Sequence, residues 1–131
     1  MRLAQHIETH IHTGDAADTV TLDYEARFLR RKRLVSDAGE PFLVELAETQ
    51  SLSQGEGFRL DDGRIIAVMA AAEPLLAVRH GNLARIAWHV GNRHTPCQIA
   101  DNHILIREDK VLQEMLEGLG ASVTQVTAPF T

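Results

Sequence analysis

Of the seven histidines in the chain, His94 is placed most like a donor side chain. It lies between Ala87-Trp88-His89-Val90-Gly91-Asn92-Arg93 and Thr95-Pro96-Cys97-Gln98. Gly91 and Asn92 are residue types that accept the left-handed backbone at a helix C-terminus. Pro96 keeps the helix from resuming and biases Thr95 toward an extended shape. The expectation is a helix that stops at Gly91-Asn92 and leaves the His94 imidazole exposed in a short, rigid link, as a metal ligand is presented. A neutral imidazole suits Ni(II), Cu(II) or Zn(II). The same place also suits a structural histidine whose ring N–H or charge meets free helix carbonyls.

The other candidates read more plainly. His6, His10 and His12 alternate, so one continuous strand would put them on a single face as a surface metal site. Thr13-Gly14-Asp15 starts a turn just afterwards, which favours ordinary exposed histidines. His80 before a helix and His103 beside Asp101-Asn102 read as solvated, and His89 as a packing residue one turn before the helix end. Cys97, three residues after His94, could pair with it as nucleophile and base. However, Pro96 intervenes, no third orienting group is apparent, and a lone cysteine there reads as a small buried apolar residue. No Gly-rich phosphate loop, paired-carboxylate signature or Cys-x-x-Cys spacing is present, so the expectation is a protein that is not an enzyme.

These residues need a scaffold, and two textures supply it. Up to about residue 73, short strands alternate with turns: Thr19-Val20-Thr21-Leu22, Pro41 to Leu46, and a hairpin in which Asp62-Gly63 joins Phe58-Arg59-Leu60 to Ile65-Ile66-Ala67-Val68. From Pro74 onward the order is strand (Leu75 to Arg79), helix capped by Asn82 (Leu83 to Val90), strands at Cys97 to Ile99 and Ile104 to Arg107, helix capped by Asp109 and stopped by Gly118 and Gly120, and strand (Ser122 to Val126). The predicted fold is α+β, with a small all-β domain over 1–73 followed by a ferredoxin-like βαββαβ domain over 74–131.

Composition narrows the function classes. The 131 residues are 44% hydrophobic and 24% charged, as in an ordinary folded protein. A formal net charge of -5 argues against a general nucleic-acid binder. One cysteine, no charged segment leading into an apolar run with a cleavage site, and no apolar stretch near the roughly 20 residues a membrane helix needs predict a cytoplasmic protein without a membrane span. Arg27-Phe28-Leu29-Arg30-Arg31-Lys32-Arg33 is the one basic run. It reads either as a solvated strand face or as a docking surface that steers an acidic partner.

The wording His89-Val90-Gly91-Asn92-Arg93-His94-Thr95-Pro96 resembles the HxGNRHxP segment of the UreE family, the urease accessory nickel metallochaperones. Val111 to Leu116, Gly118-Leu119-Gly120 and Pro129-Phe130 resemble the family's second helix and last strand. The resemblance implies an amino-terminal β domain that meets protein partners and a carboxy-terminal domain that dimerises and binds nickel. It implies that His94 from each of two subunits meets one Ni(II) on the dimer axis. Zn(II) and Cu(II) would bind the same donors in vitro. The partners implied are the urease apoprotein and the other urease accessory proteins, including the maturation GTPase. Some members carry two histidines around an aspartate before the second helix, where this chain has Glu108-Asp109-Lys110, so that accessory site is not expected. Many members continue into a histidine-rich tail after Pro-Phe, whereas this sequence stops at Thr131, which leaves open a protein without a tail or a shortened one.

The chemistry agrees with such a role. One imidazole binds a metal weakly, but a two-fold axis doubles every residue near it. Two imidazoles leave coordination positions open, which lets a recipient compete for the ion, unlike a closed Cys/His cage. Affinity should fall as the pH drops through about 6.5, the ordinary imidazole value. An alternative is a non-metal binding module that uses the ferredoxin-like sheet and the basic run for RNA or protein. Ile99 and Ile104-Leu105-Ile106 lack the exposed aromatic pairs on which an RNA-binding sheet stacks bases.

Overall fold

The computed structural model describes residues 1–12 and 14–131. They form two compact units, Met1–Ala71 with Thr131, and Ala72–Phe130.

The first unit is all β. Its strands are β1 (Arg2–Glu8), β2 (Asp18–Leu22), β3 (Phe28–Val35), β4 (Pro41–Ser51), β5 (Gly57–Leu60) and β6 (Ile65–Ala70). They make one six-stranded sheet in the order β2-β6-β5-β1-β4-β3, parallel at β1–β4 and β2–β6 and antiparallel elsewhere. Alternation puts Phe42, Val44 and Leu46 of β4 inside, where they meet Phe58, Ile66 and Val68. The Phe42 and Phe58 rings pack tilted, with centroids 5.8 Å apart.

The sheet curls. The turn after β3 reaches the opposite edge strand, with Asp37 N–H donating to the Thr19 carbonyl at 2.8 Å and the Thr21 hydroxyl donating to the Asp37 carboxylate at 2.8 Å. The β5–β6 hairpin turns at Asp62-Gly63 as expected, Gly63 having φ 90°. Gly57 is required for another reason: a Cβ there would collide with the Ile66 carbonyl and the Ile11 side chain.

The second unit contains β7 (Ala72–Arg79), α1 (Leu83–Asn92), β8 (Gln98–Ile99), β9 (Ile104–Arg107), α2 (Lys110–Gly118) and β10 (Ser122–Pro129). The sheet order is β10-β7-β9-β8, antiparallel throughout, which is the ferredoxin-like arrangement. Both helices cover one face: Ile86 and Val90 of α1 and Leu112 and Leu116 of α2 pack with Leu76, Val78, Ile104 and Ile106. Glu73 and Pro74 are strand residues here, paired with Ala128 and Thr127. Proline is accommodated because β7 meets β9 only from Leu75 onward.

Several local expectations need correction. β1 ends at Glu8 and His10 has φ 56°, so His6, His10 and His12 do not share one strand face. Of the turn read at Thr13-Gly14-Asp15, Thr13 lies outside the described residues, while Asp15 N–H donates to the His12 carbonyl at 2.9 Å. His80 is more than a solvated residue, because its Nδ1 accepts from the Asn82 N–H at 2.8 Å at the entry to α1. His103 Nδ1 lies 2.7 Å from Asn102 Oδ1. Arg27 leaves the basic surface altogether: it is 3% exposed and its guanidinium donates to the Asp23 carbonyl at 3.2 Å.

Candidate metal site

The backbone around His94 follows from how α1 is anchored and stopped. The Asn82 side chain accepts from the Arg85 N–H at 3.1 Å and so caps the first turn. The burial of Ile86 and Val90 then fixes the helix rotation, which leaves Trp88 64% exposed and half-buries His89. The Trp88 ring meets His89 edge-on, with centroids 5.0 Å apart.

At the far end, Gly91 and Asn92 remain inside the helix, contrary to expectation. The left-handed residue is His94 itself, with φ 57°. Its N–H donates to the Gly91 carbonyl at 2.9 Å, and the Thr95 N–H reaches the Val90 carbonyl at 3.4 Å. These two bonds, nested one inside the other, are the Schellman closure, in which the left-handed position is usually glycine. Helix α2 ends in the same way: Gly120, φ 88°, donates to Glu117 at 3.0 Å and Ala121 donates to Leu116 at 3.0 Å. The chain therefore places glycine at this position in one helix and histidine in the other.

A residue with a side chain in this conformation is backbone-strained by roughly 1–2 kcal/mol, although histidine is among the types found there more often. Strain of this kind collects where a side chain must be aimed at something. The imidazole is exposed in a cleft of about 290 Å³ lined by His94, Thr95, Pro96, Arg107, Glu108 and Asp109. The Asp109 carboxylate is engaged as the cap of α2, accepting from the Leu112 N–H at 3.0 Å. Arg93 is turned away from a ligand role, its Nε donating to the Met115 sulfur at 3.0 Å and so tying the end of α1 to α2.

Among the described residues no three His, Cys, Asp or Glu side chains gather as a metal site within one chain. His94 thus stands with carboxylates nearby and no second imidazole. Cys97 is half-buried against the core of the second unit, as a small apolar residue would be. His6, His10, His12, His80, His89 and His103 are not among the residues lining the His94 cleft. The sequence expectation of an exposed histidine just past the end of α1 agrees with the structure, whereas the residue that takes the left-handed conformation there was not anticipated. The usable signal was the position four residues past the last buried helix residue, Val90 to His94 in α1 and Leu116 to Gly120 in α2.

Comparison with known proteins covers nearly the whole chain. A family model described as the UreE urease accessory protein, N-terminal domain, matches residues 2–71, and the corresponding C-terminal domain model matches residues 73–131. The urease accessory protein UreE of Ruegeria pomeroyi is 53% identical over 120 residues, 92% of this chain and 80% of that protein. The UreE of Rhodobacter capsulatus is 59% identical over 115 residues, 88% of this chain and 73% of that protein. With both domain models matched in order and with identity this high, the chain belongs to the UreE family of urease accessory proteins.

Proposed function

We propose that this protein is a nickel metallochaperone that binds Ni(II) through His94 and delivers it to apo-urease during assembly of the urease metal centre. The observation that carries this reading is the exposed imidazole held at a left-handed helix stop, where glycine would cost the fold less. Nickel is cargo, and the chemistry is ligand exchange with no bond made or broken in a substrate. Because one chain brings a single imidazole to the cleft, the reading requires two copies of His94 to meet across a two-fold axis. Exposed apolar side chains in the second unit, Trp88, Ile99 and Val111, favour a face covered by another subunit.

The second unit is then the nickel-binding and dimerising part, and the first unit the part that meets protein partners. Those partners are the urease apoprotein and the other accessory proteins, the maturation GTPase among them. Membership of the UreE family supports this reading, and a cytoplasmic setting follows from the assignment. No helix among the described residues is long and apolar enough to cross a membrane. Zn(II) and Cu(II) share the preference for imidazole and would compete in vitro.

The test is a Ni(II) titration of wild type and His94→Ala with light scattering in parallel. The expected result is about one nickel per dimer, lost in His94→Ala while the dimer persists. Stoichiometric binding that survives the substitution would refute the assignment.

A further inference from the structure

The basic run occupies a particular place in the first unit. β3 is an outer strand of the six-stranded sheet, bonded to β4 along one side only. An outer strand leaves the N–H and C=O of every second residue without a ladder partner. Along β3, Arg30, Arg31, Lys32 and Arg33 are all exposed, between Phe28 and Val35, which are 65% and 51% exposed. Arg31 lies 4.0 Å from Glu45 across the strand pair. Arg30, Lys32 and Arg33 make no ion pair among the described residues.

Cations on an outer strand have a protective role, since like charges set opposite one another stop two copies of the strand from pairing. The same charges select what can pair. Alternation puts Arg31 and Arg33 on one face and Lys32 on the other, so a segment lying beside β3 meets positive charge on both faces. Two acidic residues in succession satisfy both faces, whereas a segment alternating acidic and apolar residues satisfies one. In a protein of net charge -5 this strand is the local exception, and it will draw an acidic chain into register.

We infer that β3 docks an extended segment of a partner protein carrying consecutive Asp or Glu residues, which adds to the sheet as a seventh strand. The open backbone supplies the hydrogen bonds and the cations supply the selection, while Phe28 and Val35 offer apolar contacts at the two ends. The eight residues of β3 at about 3.3 Å each give a docking length of about 26 Å. The inference deepens the reading of the first unit as the partner-facing part and does not depend on nickel. An RNA strand would use the cations and Phe28 but not the free amides.

The probe is a fluorescent ten-residue peptide with four central glutamates flanked by valines, followed by anisotropy on the full chain. Three comparators are the lysine version, a glutamate version with alternate amides N-methylated, and a ten-nucleotide uridine RNA. The expected result is salt-sensitive binding of the glutamate peptide, at least tenfold weaker for the N-methylated one and absent for the lysine one. Lys32→Glu/Arg33→Glu, which breaks no ion pair, should weaken glutamate-peptide binding at least tenfold with circular dichroism unchanged, and Lys32→Gln/Arg33→Gln should fall between. Equal binding of the N-methylated peptide, RNA binding as tight as the peptide, or no binding of the glutamate peptide would each overturn the inference. A nickel titration of the same variants reads the His94 proposal separately, because either activity can be lost while the other stands.

Discussion

The left-handed His94 makes a prediction that depends on the difference between two substitutions. His94→Ala and His94→Gly both remove the imidazole, so whatever the ring contributes cancels between them. What remains is the cost of holding a Cβ at φ 57°. That cost is about 1–2 kcal/mol for a left-handed residue. Glycine gives back part of it, about 0.4–1 kcal/mol, because its unfolded chain has more freedom to lose. The net expectation is that His94→Gly is more stable than His94→Ala by about 1 kcal/mol, a factor of about five in the folding equilibrium.

Helix α2 provides the reverse experiment in the same molecule. Gly120 occupies the corresponding position with φ 88°, and a Cβ there would meet only His80 Nε2 at 3.8 Å, an ordinary contact. Gly120→Ala should therefore lose stability for backbone reasons alone, by about 1 kcal/mol on the same reasoning. Urea unfolding of the purified metal-free variants, compared at equal protein concentration, is the measurement. If His94→Gly were no more stable than His94→Ala while Gly120→Ala was destabilised, the left-handed strain assigned to His94 would be refuted.

Two further outcomes follow from packing and charge. Ile86 is fully buried beneath α1, so Ile86→Ala should cost about 2–5 kcal/mol, read as a lower urea midpoint; a change under about 0.5 kcal/mol, the scale of surface substitutions, would contradict the packing described. In the first unit, hydrogen bonds from the Arg64 guanidinium are the leading cause that holds the Glu40 and Asp62 carboxyls below the usual carboxylate range. Because both folded pKa values lie below the unfolded ones, the stabilisation is present above the ordinary carboxylate range and is lost as the pH falls through the folded values. The stability gap between wild type and Arg64→Ala should then be widest near neutral pH and close in acid, and a gap independent of pH would remove the linkage.

The geometry of Arg64 also shows what this network does for the fold. Its Nη1 donates to Glu40 Oε1 at 2.8 Å, and its Nε donates to Asp62 Oδ2 at 2.7 Å. It thereby joins the β3–β4 turn to the β5–β6 turn, with Arg2 3.4 Å from the same Asp62 carboxylate. All of these groups are partly solvated, so each pair contributes little alone, and the value lies in fixing the turns in register.

Much of the architecture was legible in local patterns. The Asn82 and Asp109 caps, the Asp62-Gly63 turn and the βαββαβ order depend on residues within a few positions of one another, and all stand in the structure. The HxGNRHxP wording singled out His94 for similar reasons: it is a short run in which several residue types must occur together. Less legible were the features that depend on distant partners. The charge run over Arg27 to Arg33 reads as one surface, yet Arg27 turns inward because carbonyls at Asp23 and Leu52 wait for it. His80 is an exception on the local scale: it reads as solvated, yet the N–H of Asn82, only two residues on, donates to its ring.

The sequence by itself determined the family, the α+β class, the helix starts and the histidine worth watching. These are properties of adjacent residues, whose hydrogen-bond capacity and permitted φ values act over one or two turns of chain. Tertiary structure decided which residue at the end of α1 takes the left-handed conformation, because burial of Ile86 and Val90 sets where the helix runs out of core to cover. It also decided that the basic run lies on an open sheet edge, since strand order is set by long-range pairing that no local window contains. A residue's type determines what it can do, while its long-range neighbours decide whether that capacity is used inside the fold or left facing a partner.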